Sequence, residues 1–182
     1  RIQALDAANK MPVLPPVATT DRVRTVTVSQ PYAPRLPPAI MSLNNLRYSD
    51  PQIERPRQGT TEICEIVNIT GDPHPIHIHL VTFRILGRRP LRTVEYQAAH
   101  PQPLIGTRWA PSPRGLYAGP ELPPAPWEAG WKDTVRSDGG TVTRVVVRFP
   151  TADELGFDPD ATFSSDPLAG TLDTTGRGPR VP

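Results

Sequence analysis

Residues 74–86, with the sequence HPIHIHLVTFRIL, decide the fold of this chain. They combine three histidines with isoleucine, valine, threonine and phenylalanine, and they follow a turn sequence made of Gly71, Asp72 and Pro73. Branched and aromatic side chains of this kind favour extended backbone. The stretch therefore predicts β structure that starts at the turn and presents its side chains alternately to two faces.

Three of the four histidines of the chain fall within this stretch, at His74, His77 and His79. His77 and His79 are two positions apart, so a strand would place them on one face, roughly 6–7 Å apart along its axis. His74 would lie on the other face with Ile76 and Ile78. One strand could thus contribute to two metal centres, although imidazole suits copper, zinc, iron and nickel alike. The alternative is a set of surface or core histidines that bind no metal.

Short strands and turn residues dominate the rest of the chain. Residues 22–29 alternate polar residues with Val or Thr, and 59–69 carry a dense apolar run. Residues 43–48 contain an Asn-Asn turn signal and predict a tight hairpin. Residues 131–149 predict two strands joined by a hairpin turn at 137–140. Almost no helical periodicity appears, so the expected class is an all-β sandwich or barrel. In the last strand Val145, Val147 and Phe149 are expected to share one face.

Proline-rich segments separate these strands, since the chain has 25 prolines and 13 glycines among its 182 residues. Residues 1–20 predict a linker, and 31–40 predict a loop. Residues 87–129 predict a long irregular loop that has a function or covers a site, with His100 in it and solvated. Residues 151–182 are acidic and then rich in Gly, Thr and Pro, which predicts a disordered tail.

Composition excludes several classes of protein. Net charge is +2, from 20 basic and 18 acidic residues, and the arginines are scattered, so no nucleic-acid partner is expected. No run of about 18 apolar residues exists, so no membrane span is expected. The single cysteine, Cys64, cannot form an internal disulfide and is interpreted as a small buried hydrophobe. The chain starts at Arg1, so its true N-terminus is expected elsewhere and its compartment stays undefined.

The stretch at 74–86 resembles the H-P-x-H-x-H signature of multicopper oxidases. Residues 59–69 are similar to the strand before that signature, and 130–136 (GWKDTVR) with 141–149 (TVTRVVVRF) resemble the segment that follows it. Order and spacing are those of bacterial laccases, spore coat proteins, bilirubin oxidases and phenoxazinone-synthase-like enzymes. The resemblance implies that residues 21–150 form part of a C-terminal cupredoxin domain, a Greek-key β-sandwich with long Pro-rich loops.

The resemblance also implies a role for each histidine of the signature. His74 matches a ligand of the type 1 copper, which takes electrons from the substrate. His77 matches a ligand of the type 2 copper and His79 a ligand of the type 3 pair, which together reduce dioxygen to water. The implied activity is oxidation of phenol-like reductants. The location stays unknown; an extracytoplasmic or spore-associated one is compatible with the resemblance.

The chain departs from the family pattern in two ways. The family has an H-C-H-x-x-x-H motif after these strands, but no histidine follows His100 and no cysteine follows Cys64. It also has two H-x-H motifs in an N-terminal domain, which are absent here. The sandwich is therefore expected to be incomplete at its C-terminus. Missing N-terminal cupredoxin domains and the missing C-terminal segment are the expected partners, and the isolated chain is expected to be inactive.

Two alternatives stay open at this point. One is a truncated, non-catalytic relic that binds copper. The other is a cupin-like metalloenzyme, because Gly71, five residues and then His77 and His79 match the opening of the cupin motif. The glutamate expected next in that motif falls on Phe83 or Arg84, which disfavours the cupin alternative.

Overall fold

The computed structural model describes residues 20–30, 40–51 and 54–156. Strands are the main regular structure of this part of the chain, which confirms the predicted all-β class. Eight strands occur in it: β1 Arg22–Ser29, β2 Ser42–Leu43, β3 Thr61–Asn68, β4 His74–His77, β5 Phe83–Pro90, β6 Trp131–Lys132, β7 Thr134–Ser137 and β8 Thr141–Arg148. Nearly all of the predicted linker, the loop at 31–40 and most of the predicted tail lie outside the described residues.

The described strands form two sheets. Six of them make one sheet in the order β2-β1-β3-β8-β5-β6, and β4 pairs with β7 in a second, two-stranded sheet. Only the β1–β3 pairing is parallel; every other strand pair is antiparallel. β3 lies between β1 and β8 and is buried along its whole length. This position explains why apolar residues occur on both of its faces, Ile63 and Val67 on one and Cys64 and Ile66 on the other.

The main core lies between the two sheets. Ile76 of β4, Ile78 just after it and Val135 of β7 pack against side chains of the larger sheet. Fully or nearly buried members of this core are Val28, Cys64, Ile66, Phe83, Ile85, Val135, Val145 and Val147. Phe149 packs against the same cluster, so the predicted shared face of Val145, Val147 and Phe149 is confirmed. The core therefore holds the small sheet, and with it the histidines, against the large one.

A second core covers the other face of the large sheet. It consists of Val67, Leu91, Tyr96, Trp109 and Val142. Tyr96 and Trp109 belong to residues 87–129, the segment predicted as a long irregular loop. This segment therefore covers one face of the large sheet.

The prediction that 87–129 lack regular structure is wrong at the start of this segment. β5 continues to Pro90, and the helix α1 follows at Thr93–Ala99. Tyr96 is the only buried residue of α1, so the helix has no apolar periodicity that its sequence could reveal. The Tyr96 hydroxyl donates to the Pro111 carbonyl oxygen at 2.7 Å, and its ring lies edge-on to Trp109. A 3₁₀ turn follows at Pro126–Glu128.

The predicted hairpin between β7 and β8 is also wrong. Both strands and the turn between them exist, but β7 pairs with β4 whereas β8 pairs with β3 and β5. The turn thus carries the chain from the small sheet to the large one. The residues of this turn determine that the chain reverses direction, because a reversal is a local property. They do not determine which strands β7 and β8 will pair with.

The Asn-Asn turn is confirmed. Asn44 and Asn45 have φ of 54° and 61°, and Leu46 N–H donates to the Leu43 carbonyl. Two positive φ values are what a two-residue hairpin turn requires. The Asn45 side chain, fully buried, also donates to three carbonyl oxygens of the long loop, those of Pro103, Leu104 and Thr107. This turn therefore anchors the loop as well as reversing the chain.

The chain divides into two compact units, Arg1–Phe149 and Pro150–Pro182. The second unit begins with a short helix, α2 (Ala152–Leu155), which was not predicted. Thr151 caps it, because its side chain accepts from Glu154 N–H while the Glu154 carboxylate accepts from Thr151 N–H. None of the helices in the described residues has the length and apolar character that a membrane crossing needs.

Candidate metal-ligand strand

His74 opens β4 and is held by the turn before it. Its Nε2 lies 2.9 Å from Thr70 Oγ1. The Thr70 hydroxyl has one proton, and its shortest contact is to Asn68 Oδ1, at 2.7 Å, which can only accept. The hydroxyl therefore accepts from His74, whose proton is on Nε2. This arrangement leaves the lone pair of Nδ1 available to a metal.

His77 has the opposite arrangement. Its Nδ1 lies 2.9 Å from the Asp133 carbonyl oxygen and 3.1 Å from Thr134 Oγ1. A carbonyl oxygen can only accept, so Nδ1 carries the proton and the Nε2 lone pair is available. The same carbonyl accepts from Ile78 N–H at 3.1 Å. Hydrogen bonding of one ring nitrogen to a backbone carbonyl is how proteins orient a histidine that binds metal through the other nitrogen.

The three imidazoles fall on two sides of the strand. His77 and His79 are exposed, and their ring centroids are 5.0 Å apart with the planes tilted by 59°. His74 and Ile76 are half-buried on the side that faces the core. This is the alternation predicted for the H-x-x-H-x-H spacing. In the described residues, no three His, Cys, Asp or Glu side chains are arranged to hold a metal ion among themselves.

The strand is shorter than predicted. Extended structure stops at His77, His79 and Leu80 form a turn, and β5 begins at Phe83. The interruption has a physical cause, because β4 and β5 belong to different sheets and the chain must cross between them. His79 is thus presented from a turn rather than from a strand.

Cys64 is not available as a ligand in this structure. It lies in the middle of β3 with 4% of its surface exposed. Burial, with a smaller contribution from the charge of Glu62, raises the pKa of its thiol to about 12. Copper binds the thiolate rather than the thiol. The interpretation of Cys64 as a small buried hydrophobe is confirmed.

The residues around the strand divide into those that sequence reasoning found and those that it missed. Trp131, Lys132 and Asp133 follow the family pattern, and Asp133 contributes its backbone carbonyl to His77. Thr70 was missed, since nothing in the sequence marks a threonine four positions before His74 as its hydrogen-bond partner. His100, predicted to be solvated, is half-buried at the end of α1, with its ring 5.3 Å from that of Tyr96.

One family model and several known proteins are similar to this chain. The family model described as multicopper oxidase matches residues 13–156. A laccase of Bacillus subtilis is 44% identical over 110 residues, which cover 60% of this chain and 19% of the relative. A laccase of Bacillus stratosphericus is 37% identical over 138 residues, covering 76% of this chain and 24% of the relative. A solved multicopper oxidase from Aquifex aeolicus aligns over 78% of this chain and 25% of its own, at 22% identity and a TM-score of 0.47. The chain thus spans about a fifth to a quarter of the length of the curated relatives.

Proposed function

The chain belongs to the multicopper oxidase family, and we propose that it supplies three copper-ligand imidazoles to a laccase-type oxidase of which it is one part. The cofactor of this family is copper, in type 1, type 2 and type 3 centres. When bound, these coppers would take electrons from a phenol-like reductant and deliver them to dioxygen, which is reduced to water. Other domains of the same protein accompany this one in the family.

The proposal assigns the type 1 copper to one side of the strand and the type 2 and type 3 coppers to the other. His74 would bind the type 1 copper through Nδ1, His77 the type 2 copper through Nε2, and His79 a type 3 copper. The observation that carries this assignment is the opposite hydrogen bonding of His74 and His77, which frees a different ring nitrogen on each. Neutral imidazole nitrogen is a donor that suits copper, so the residues present fit the metal.

The protein's own contribution is to hold these rings in fixed orientations. The Asp133 carbonyl and Thr70 hydroxyl fix the tautomer and the ring direction of His77 and His74. Ile76 and Ile78 pack against the main core on either side of His77, which restrains the backbone there. A ligand held in this way loses little conformational entropy when the metal binds, which favours affinity.

The remaining ligands must come from elsewhere in the full-length protein. We propose that they come from N-terminal cupredoxin domains and from a C-terminal segment of the H-C-H type. The reducing substrate would be a phenol or a similar small molecule, and dioxygen would be the oxidant.

Separate substitutions in the full-length protein test the assignment. His74→Ala is expected to abolish the thiolate-to-copper absorption of the type 1 centre while the type 2 signal in electron paramagnetic resonance persists. His77→Ala is expected to give the reverse pattern, and His79→Ala to lower copper content without loss of the type 1 absorption. His100→Ala is the matched control and should leave copper content and both spectra unchanged. Full copper content in all three signature variants would rule the assignment out.

A further inference from the structure

Asn68 is the last residue of β3, an interior strand of the large sheet, and its side chain is fully buried. Its amide nitrogen donates to the carbonyl oxygens of Asp72, at 2.8 Å, and of Ser137, at 2.9 Å. Its Oδ1 accepts from the Thr70 N–H at 2.9 Å and from the Thr70 hydroxyl at 2.7 Å. Because a carbonyl oxygen can only accept and a backbone N–H can only donate, these neighbours determine which end of the amide is the oxygen.

The orientation of this amide determines what the Thr70 hydroxyl can offer to His74. The hydroxyl oxygen lies near two acceptors, Asn68 Oδ1 at 2.7 Å and the Asp72 carbonyl oxygen at 3.0 Å. Its one proton is therefore used on this side, and a lone pair faces His74 Nε2 at 2.9 Å. Since the Asn68 amide also donates to the Asp72 carbonyl, one side chain supplies the first acceptor and holds the second in place.

We propose that Asn68 is a positioning residue for the metal bound by His74: acting through Thr70, it fixes the direction of the His74 ring from the large sheet. This inference rests on the proposed function. The backbone of Asn68 is paired with Val28 of β1 on one side and with Thr141 of β8 on the other, so its side chain starts from a firmly held point. His74 itself belongs to a sheet in which two strands are described, and a two-stranded sheet alone is only marginally stable.

The arrangement gives Asn68 two separable effects. Loss of its amide leaves two buried carbonyl oxygens and the Thr70 N–H without this partner, which lowers stability. It also frees the Thr70 hydroxyl, which weakens the restraint on the His74 ring. Asn45 is a matched control for the first effect alone, because it is equally buried and its amide nitrogen also donates to carbonyl oxygens. In the described part of the chain its side-chain hydrogen bonds all go to residues 102–107.

The experiment uses the full-length protein without copper, isotopically labelled in its histidine nitrogens. Nuclear magnetic resonance measures how fast the His74 Nε2 proton exchanges with water, and His74→Ala identifies the signal. Asn68→Ala should raise this rate roughly fivefold, which corresponds to the loss of one hydrogen bond. Thr70→Val should raise it as much, because the acceptor is removed, whereas Thr70→Ser should keep the wild-type rate. Asn45→Ala should lower the Tm by an amount similar to Asn68→Ala and leave the exchange rate unchanged.

A second substitution at the same position separates the two ends of the amide. Asn68→Asp keeps an oxygen that faces Thr70 and loses both donors, so it should raise the exchange rate less than Thr70→Val does. This comparison stands even if Asn68→Ala does not fold. In the copper-loaded protein, an Asn68 variant that raises the exchange rate should also shift the thiolate-to-copper absorption of the type 1 centre, and Asn45→Ala should leave that band unchanged.

Three results would overturn the proposal. One is exchange at the wild-type rate in Asn68→Ala, and another is an equal rise in Asn45→Ala, because the effect would then be a general loosening of the fold. The third is an equal rise in Asn68→Asp and Thr70→Val, or an unshifted absorption band in an Asn68 variant with fast exchange. A wild-type protein that takes up no copper would refute the proposed function, whereas the exchange rates, measured without copper, would still decide whether Asn68 orients His74.

Discussion

Gly139, in the turn after β7, packs directly on the backbone of Gly71, in the turn before β4. A Cβ on Gly139 would lie 2.7 Å from the Gly71 carbonyl carbon and 2.7 Å from the Thr70 carbonyl oxygen. Neither glycine has a positive φ. Position 139 therefore needs glycine because a side chain would not fit there, and not because of its backbone conformation. The contact lies at the end of the β4–β7 pair where His74 is opposite Ser137.

Gly139→Ala should therefore destabilise the protein by about 1–3 kcal/mol, since backbone atoms must move to admit the methyl group. Gly71→Ala is the matched control: a Cβ there meets nothing within 4 Å. It should be neutral, or stabilising by about 0.5 kcal/mol through the unfolded state. Urea unfolding of both variants measures the difference, and equal stabilities would contradict the packing described here.

The isolated chain should not become blue with copper. Cys64 is the only cysteine, and burial keeps its thiol protonated at neutral pH. We expect no thiolate-to-copper absorption after copper is added, and no phenol oxidation. A thiol reagent should modify Cys64 slowly in buffer and rapidly in denaturant. Rapid modification in buffer would mean that β3 is not packed as described.

Two buried threonines should respond in opposite ways to the same substitution. Thr27 and Thr143 are both fully buried on strands of the large sheet. Thr27 Oγ1 donates to the Trp109 carbonyl oxygen at 2.7 Å, whereas Thr143 Oγ1 has no hydrogen-bond partner in the described residues. Thr27→Val should cost about 1–2 kcal/mol, because it leaves a buried carbonyl unpaired. Thr143→Val should be neutral or stabilising by up to about 1 kcal/mol. Urea unfolding of the two variants tests the sign.

The Arg88–Glu128 pair should make stability depend on pH. Arg88 donates two hydrogen bonds to the Glu128 carboxylate, at 2.8 and 2.6 Å, and two more to the Arg136 carbonyl oxygen. The hydrogen bonds from Arg88 hold the pKa of Glu128 below its ordinary value of 4.5, despite the opposing effect of burial. A lowered pKa in the folded state means that the carboxylate stabilises the fold above pH 4.5 and loses this effect as the pH falls through its lowered value.

Glu128→Gln should accordingly cost about 1–2 kcal/mol at pH 7, because both side chains are mostly shielded from water. Unfolding free energies of wild type and variant should converge as the pH is lowered from 4.5. Glu95→Gln, at an exposed position of α1, serves as the control and should change little. A difference between wild type and Glu128→Gln that persists at acid pH would show that the carboxylate charge is not the cause.

Sequence patterns predicted those features that local chemistry determines. The strands at β1, β3 and β8, the Asn44-Asn45 turn and the split of the histidines between two sides all follow from residue type and alternation. Features that depend on distant partners were not predictable. α1 is stabilised by one buried residue, Tyr96, so it has no periodic signal, and the turn at 138–140 does not reveal that β7 and β8 lie in different sheets. Likewise, the partners of His74 and His77 could be identified only from coordinates.

The pairing of β4 with β7 has a consequence for how such a protein can evolve. Among the described residues this sheet has two strands, and a ribbon of two strands is only marginally stable in water. Ile76, Ile78 and Val135 stabilise this ribbon, because their side chains pack in the main core. If the proposed function holds, a change in the volume of these side chains would tilt the imidazoles of His74 and His77, so apolar positions that bind no metal themselves would be under selection for metal binding as well as for stability.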